Sequence, residues 1–320
     1  MSRNTRLFKS IYRLLLPVIV LIILAFVAAS IWFIHISANP PKASYLVTPE
    51  KYGQLSTRAA QVTDENWQNA DGTNSRGWLL RGNNNAPAVV LLHRYGADRS
   101  YVLNLGVKLN ELTNFTVLMP DLRGHGEKPS VQDTSFGGCE RQDTISAIKF
   151  LRNVKNADKE TLVGKNIGIY GVELGALVGL SIAAKDESVK ALVLDSVPSG
   201  SNHLLTSVFK EHYPFASFIT ARMAEGGSYL YFAGGCSERQ SACELAKSLT
   251  NRNVMLLAGA DATHFQTTTS NLSSCFPTQT KVTANTNLNP SGFGITQASS
   301  EQSNSYEQKV IYFFKESLSD

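Results

Sequence analysis

The sequence has 320 residues, 43% of them apolar and 18% charged. That balance excludes an intrinsically disordered chain and a small disulfide-stapled scaffold, and the length allows one large domain or two modest ones. The net charge is +4, yet Arg3, Arg6, Lys9 and Arg13 account for all of it, and no acid occurs before Glu50. The rest of the chain is balanced, which predicts no nucleic-acid partner.

In chain order, residues 1–13 read as a short basic cytoplasmic tail. The uncharged run Leu14–Ile34 follows. A helix of about 20 residues crosses the roughly 30 Å hydrocarbon core, so 14–36 is expected to be a membrane-spanning signal anchor with the bilayer as its partner. Pro17 falls in the first turn of the span, and Tyr12 and Trp32 sit near its ends, as interfacial aromatics do. Small residues at Ala28-Ala29-Ser30 and Ser37-Ala38 also fit a cleaved signal peptide, whose apolar region is shorter, about 7–15 residues. Bases before the span and none within Leu14–Pro41 predict the N-terminus inside and the main domain periplasmic or extracellular. Asn39-Pro40-Pro41 breaks the helix and opens a linker over 37–57.

A domain over 58–320 is expected next. Ala59–Val62 and Arg76–Leu80 read as an antiparallel pair. Ala88–His93, Phe115–Met119, Asn166–Tyr170, Lys190–Asp195 and Asn253–Leu257 read as short buried strands, because parallel strands covered on both faces are apolar throughout. Amphipathic stretches alternate with them at Tyr101–Leu112, Glu140–Val154, Leu174–Ala184 and Tyr306–Leu318. Alternation of this kind implies an α/β sheet with right-handed crossovers. Residues 201–247 interrupt the rhythm and are either a cap or a long connection. Asn83–Asn85 reads as a turn and Ser299–Ser305 as a polar loop.

Three motifs end strands: Leu91-Leu92-His93-Arg94-Tyr95-Gly96, Pro120-Asp121-Leu122-Arg123-Gly124-His125-Gly126 and Gly171-Val172-Glu173-Leu174-Gly175. Through them the chain resembles the α/β-hydrolase superfamily, in particular its peptidase- and esterase-like branch with paired HGxG and DxRGHG turns. The stretch from Gly137 to Asp143, with Glu140 and Asp143, matches that branch too. The resemblance covers Tyr45 to Leu318. It implies a mostly parallel central sheet flanked by helices, here preceded by the anchor helix.

The same resemblance marks a damaged site. A residue held between glycines on a strand-to-helix turn is pushed out above the sheet. The family places serine there, and this chain has Glu173, which carries no proton for a histidine base to remove. Asp261 stands at the acid position. The histidine is expected before the final helix, where the chain reads Asn289-Pro290-Ser291-Gly292-Phe293-Gly294, so Phe293 takes its place. His264 is the remaining candidate base. His93, Arg94, Tyr95 and Leu174 make up the oxyanion turn, with Arg94 where the family has glycine. Arg94 and Glu173 are expected to form a salt bridge that fills the old pocket. His93 and His125 are expected to bond backbone, and His203 and His212 to lie on the surface or cap.

Cys139, Cys236, Cys243 and Cys275 allow two disulfides in an oxidising compartment, and the short spacing of Cys236 and Cys243 makes them a candidate pair. No cofactor and no metal are expected. Two functions follow from these residues. One is an inactive hydrolase fold used as a membrane-tethered binding module, or as a subunit of a complex with a membrane-protein partner. The other is an active hydrolase of ester or related bonds that uses Glu173 on a small-molecule substrate.

Overall fold

The computed structural model describes residues 3–319 apart from 43, 55–57, 157, 213–217 and 237. Its first element is a single long helix, α1 (Arg3–Ala38). Within it Leu15–Ala38 is long and apolar enough to cross a membrane, with a mean hydropathy of 2.8. The helix starts well before the expected span, so Pro17 lies inside it. It ends at Ala38, before the Asn-Pro-Pro sequence, because proline removes the donor the next turn needs.

Side chains from Leu15 to Phe26 are exposed all round. From Val27 onward one face docks, burying Ser30, Ile34, Ser37 and Ala38.

Eight strands follow: β1 (Thr63–Gln68), β2 (Asn74–Leu80), β3 (Ala86–Leu92), β4 (Thr116–Pro120), β5 (Val163–Val172), β6 (Val189–Asp195), β7 (Asn253–Gly259) and β8 (Lys281–Leu288). They form one sheet in the order β1-β2-β4-β3-β5-β6-β7-β8. β2 pairs antiparallel with both β1 and β4, and every later pair is parallel. The other helices are α2 (Pro49–Tyr52), α3 (Leu103–Thr113), α4 (Gly138–Asn153), α5 (Leu174–Ala183), α6 (Ser201–His212), α7 (Phe218–Tyr231), α8 (Ala242–Ala246), α9 (Thr263–Leu272) and α10 (Ser300–Leu318).

Strand side chains alternate between the two faces. On β3, Val90 and Leu92 join the core under α4 and α5, while Val89 and Leu91 join the core under α3 and α10. All five strands expected from apolar runs are present. The antiparallel pair is shifted: its first strand is the polar Thr63–Gln68, where only Trp67 is buried, and Ala59–Gln61 is a 3-10 turn. β8 (KVTANTNL) is an edge strand with little burial, so it gives no apolar signal. Residues 300–305 are helical rather than loop. Ser299 caps α10 and Gln302 returns the bond to its amide, a capping box that lets a polar sequence start a helix. Residues 201–247 form α6, α7 and α8.

The disulfides are Cys139–Cys236 and Cys243–Cys275, with Cα separations of 5.0 and 5.3 Å. Of the three pairings that four cysteines allow, the one with the candidate Cys236–Cys243 bond does not form. Cys236 follows α7 and meets the start of α4, while Cys243 lies on α8 and meets the turn after α9. Nearness in sequence did not set nearness in space.

Candidate functional site

β3 and β5 are parallel neighbours, with Leu91 opposite Tyr170 and Leu92 opposite Gly171. Their carboxyl ends therefore bring the His93 turn and the Glu173 turn together. Glu173 has φ 52° and ψ −105°, a conformation that costs a non-glycine residue about 1–3 kcal/mol. The packing around it enforces that geometry. A Cβ on Gly171 would overlap the Gly175 backbone, and one on Gly175 would overlap the Leu92 carbonyl. The sharp strand-to-helix turn is thus formed around Glu173.

Glu173 is buried, 2% exposed. Its Oε2 accepts a hydrogen bond from the Tyr95 amide at 2.9 Å, and the nearby Leu174 amide also favours its charged form. Those two N–H groups, one after the strand β3 turn and one at the start of α5, are where the resemblance places the oxyanion donors. The carboxylate of this chain faces them itself and takes the Tyr95 amide. Burial pushes its pKa up to about 7, and the positive charge of Arg94 and the two amides oppose that rise.

The expected Arg94–Glu173 salt bridge does not form; no such ion pair exists among the described residues. Arg94 instead lays its guanidinium over the Phe293 ring, 4.7 Å from the centroid, and near Tyr101 at 5.8 Å. Its Nε is buried without a partner. Backbone amides are already fixed in place, so they satisfy the carboxylate without ordering a flexible arginine.

Phe293 lies with Arg94 on one side and Phe265 on another, ring centroids 6.1 Å apart. The loop that carries it is still held by carboxylates. Asp261 accepts from the Ser291 amide at 3.1 Å and from its hydroxyl at 3.0 Å. Asp195, at the end of β6, accepts from the Gly292 amide at 2.8 Å, the Tyr306 hydroxyl at 2.8 Å and the Ser196 hydroxyl at 2.7 Å. Burial raises the pKa of Asp195, and its donors resist the shift. Tyr101 donates to the Gly292 and Phe293 carbonyls. Asp261 and Asp195 together fix the loop that carries Phe293. Asp195, Tyr101 and Tyr306 were not singled out from sequence. The only signal for Asp195 was its position as an acid ending a buried strand.

The other histidines divide as follows. His264 is exposed on α9 and makes no hydrogen bond or ion pair with Glu173 among the described residues. His93 donates from Nδ1 to the Arg94 carbonyl at 2.8 Å and accepts the Leu122 amide on Nε2 at 3.0 Å. His125 donates from Nδ1 to the Arg123 carbonyl at 2.8 Å. Burial holds them near pKa 4 and 3, so both are neutral. His203 accepts the Ser199 amide at 3.1 Å, and the side chain of His212 lies outside the described residues. Among the described residues no cluster of three His, Cys, Asp or Glu side chains could hold a metal.

Helix α1 reaches this site. The Tyr95 hydroxyl donates to the Ser37 carbonyl at 2.7 Å, and the Thr134 amide donates to the Ala38 carbonyl at 2.8 Å. Phe136 stacks on the Tyr95 ring. With Glu173, Arg94, Tyr101 and Phe293 packed together, Glu173 lines neither the cavity of about 300 Å³ beneath α6 and α7 nor that of about 230 Å³ beside the Asp121 turn.

Comparison with known proteins agrees with this fold. The family model for the alpha/beta hydrolase fold matches residues 87–235. A thiohydrolase of Aspergillus aculeatus is 27% identical over 38% of this chain and 37% of its own length. A polyketide transferase of Stachybotrys chlorohalonatus is 26% identical over 41% of this chain and 42% of its own. The chain thus spans less than half the length of these relatives. Among solved structures, an esterase of Pyrococcus furiosus superposes with a TM-score of 0.62 at 17% identity, covering 88% of this chain and 98% of the esterase. A dienelactone hydrolase of Anabaena variabilis superposes with a TM-score of 0.52 at 14% identity, over 81% of this chain and 99% of its own.

Proposed function

We propose that this chain, a member of the α/β-hydrolase superfamily, is a membrane-anchored extracytoplasmic binding module whose hydrolase site is silent. One observation carries the reading: the carboxylate at the nucleophile position accepts from the Tyr95 amide, so the oxyanion donors are already used. Loss of the serine or the histidine costs a serine hydrolase about 10⁶ in rate, and here Glu173 and Phe293 stand in those two places. The apolar helix α1, bases confined to its first turns and two disulfides support an anchor with the domain in an oxidising compartment. A membrane-protein partner fits the same placement.

A second reading rests on the raised pKa of Glu173, which suits a general base near neutral pH. It would need a substrate to displace the carboxylate from its amides.

Full-length protein in detergent, assayed on ester, thioester, epoxide and haloalkane substrates beside Glu173→Ala, separates the two. The binding module gives no turnover above the variant. Turnover that the substitution abolishes would establish the hydrolase. Retention in the membrane pellet after alkaline carbonate extraction is expected of the anchor, and release would remove it.

A further inference from the structure

Helix α1 is exposed on all sides from Leu15 to Phe26 and docked along one face from Val27 onward. The free stretch rises about 18 Å at 1.5 Å per residue. The hydrocarbon core of a bilayer is about 30 Å thick and takes about 20 helical residues. Counted from Arg13, the last base before the span, that length ends near Phe33. The free stretch alone is too short to cross. The first turns of the docked half, with whatever packs on them, must lie at the depth of the leaflet on the domain's side.

Helix α7 packs there. Gly227 abuts the Ser30 backbone and the Ile34 side chain, and the Tyr231 hydroxyl lies 3.1 Å from His35 Nδ1. Because Ser30 meets Gly227 and His35 meets Tyr231, the two helices run the same way, and α7 residues before Gly227 lie deeper than it. The arrangement is fixed on both sides. Tyr95 and Thr134 donate to the Ser37 and Ala38 carbonyls, and the Cys139–Cys236 bond ties the chain just after α7 to α4.

The chemistry of α7 suits that depth. Its two charges, Arg222 and Glu225, pair with each other at 2.7 Å, as charges within a membrane do. Tyr229 and Leu230 are more than half exposed, as is Trp32 on α1. Exposed apolar residues mean little singly, but here they extend the apolar surface of the spanning helix. The Arg239 guanidinium lies 5.5 Å from the Tyr229 ring centroid. Tyrosine favours the headgroup level, and arginine reaches from there to water and phosphates.

We propose that α7 is a second membrane contact, its outward face set into the leaflet on the domain's side with Tyr229 and Leu230 at the headgroup boundary. The proposal rests on the reading of α1 as an anchor. It seats the domain on the bilayer instead of leaving it tethered at the end of a linker.

Photo-cross-linking of the full chain in nanodiscs of phosphatidylcholine and phosphatidylglycerol tests this. The photoreactive residue p-benzoylphenylalanine replaces Leu21, Tyr229, Leu230 or Leu112 in turn, and lipid adducts are measured by mass spectrometry. All four side chains are exposed, so the substitutions leave the packed core alone. Leu21 lies in the free stretch of α1, and Leu112 lies on α3, which packs on the opposite face of the sheet from α1. Tyr229 or Leu230 should give adducts at least tenfold above Leu112 and comparable to Leu21. Adducts at Leu21 with neither α7 position above Leu112 would overturn the seating and leave the anchor standing. Background at Leu21 would remove the anchor, and the seating with it.

Discussion

Glu173 Oε2 lies 2.9 Å from the Tyr95 amide, a hydrogen bond between the strand-to-helix turn after β5 and the turn after β3. In an acyl-transfer enzyme an amide in that place waits for the charge that develops on a substrate oxygen, and one such donor is worth about 10²–10³ in rate. Here the protein supplies the negative oxygen itself. The strained turn at φ 52° and the two amides persist, and their role is to satisfy a buried carboxylate.

The first prediction concerns pH. The ordinary pKa of Glu173 is 4.5, and burial raises it to about 7. Between those values the folded chain holds a proton that the unfolded chain has released. Its contribution to stability is full below 4.5 and is lost as pH rises through about 7. Glu173→Gln stays neutral and keeps an acceptor for the Tyr95 amide. It should match the wild type at pH 4.5 and exceed it by about 1–3 kcal/mol at pH 8. Paired thermal melts across that range check this, because the buried histidines cancel in the difference. A difference that does not change with pH would refute it.

Restoring chemistry needs more than the nucleophile. Glu173→Ser alone should stay at background on p-nitrophenyl acetate, since Phe293 cannot take a proton. Arg94→Gly, Glu173→Ser and Phe293→His together should hydrolyse it measurably. Asp261 and Asp195 still hold Ser291 and Gly292, so a histidine at 293 would arrive on a positioned loop. A triple variant no better than the single one would show that the loop geometry has drifted as well.

The disulfide pattern is directly testable. Non-reducing peptide mapping should yield one cross-linked fragment joining Cys139 to Cys236 and another joining Cys243 to Cys275. Replacing Cys139 and Cys236 by serine should cost about 2–5 kcal/mol, because that bond closes a long loop. A fragment linking Cys236 to Cys243 would contradict the fold described here.

The contact between α1 and α7 depends on one glycine. A Cβ on Gly227 would come within 2.6 Å of the Ser30 carbonyl, whereas one on Gly226 would meet open space. Gly227→Val should therefore push the helices apart and raise hydrogen exchange across Phe33–Ala38 at least tenfold. Gly226→Ala should leave it unchanged. Equal effects from the two would mean that α7 does not seat on α1.

Sequence alone determined the long apolar N-terminal helix, the five buried strands, the α/β-hydrolase fold and the residues that stand at its turns. These are properties of local composition and spacing: an uncharged apolar run, β-branched runs ending in glycine or acid, and residue identities at fixed motif positions. It missed β8, whose exposed edge carries no apolar pattern, and the start of α10, whose polar residues are ordered by a capping box. Tertiary structure alone decided the partners. Arg94 and Glu173 emerge on adjacent strands, as the topology required, yet their side chains part: one stacks on Phe293 and the other takes backbone amides. Cys236 passes over its near neighbour Cys243 for Cys139, on a helix nearly a hundred residues earlier. Side-chain pairing depends on which groups packing brings within a few ångströms and which donors are already fixed there, and neither is written in the order of residues along the chain.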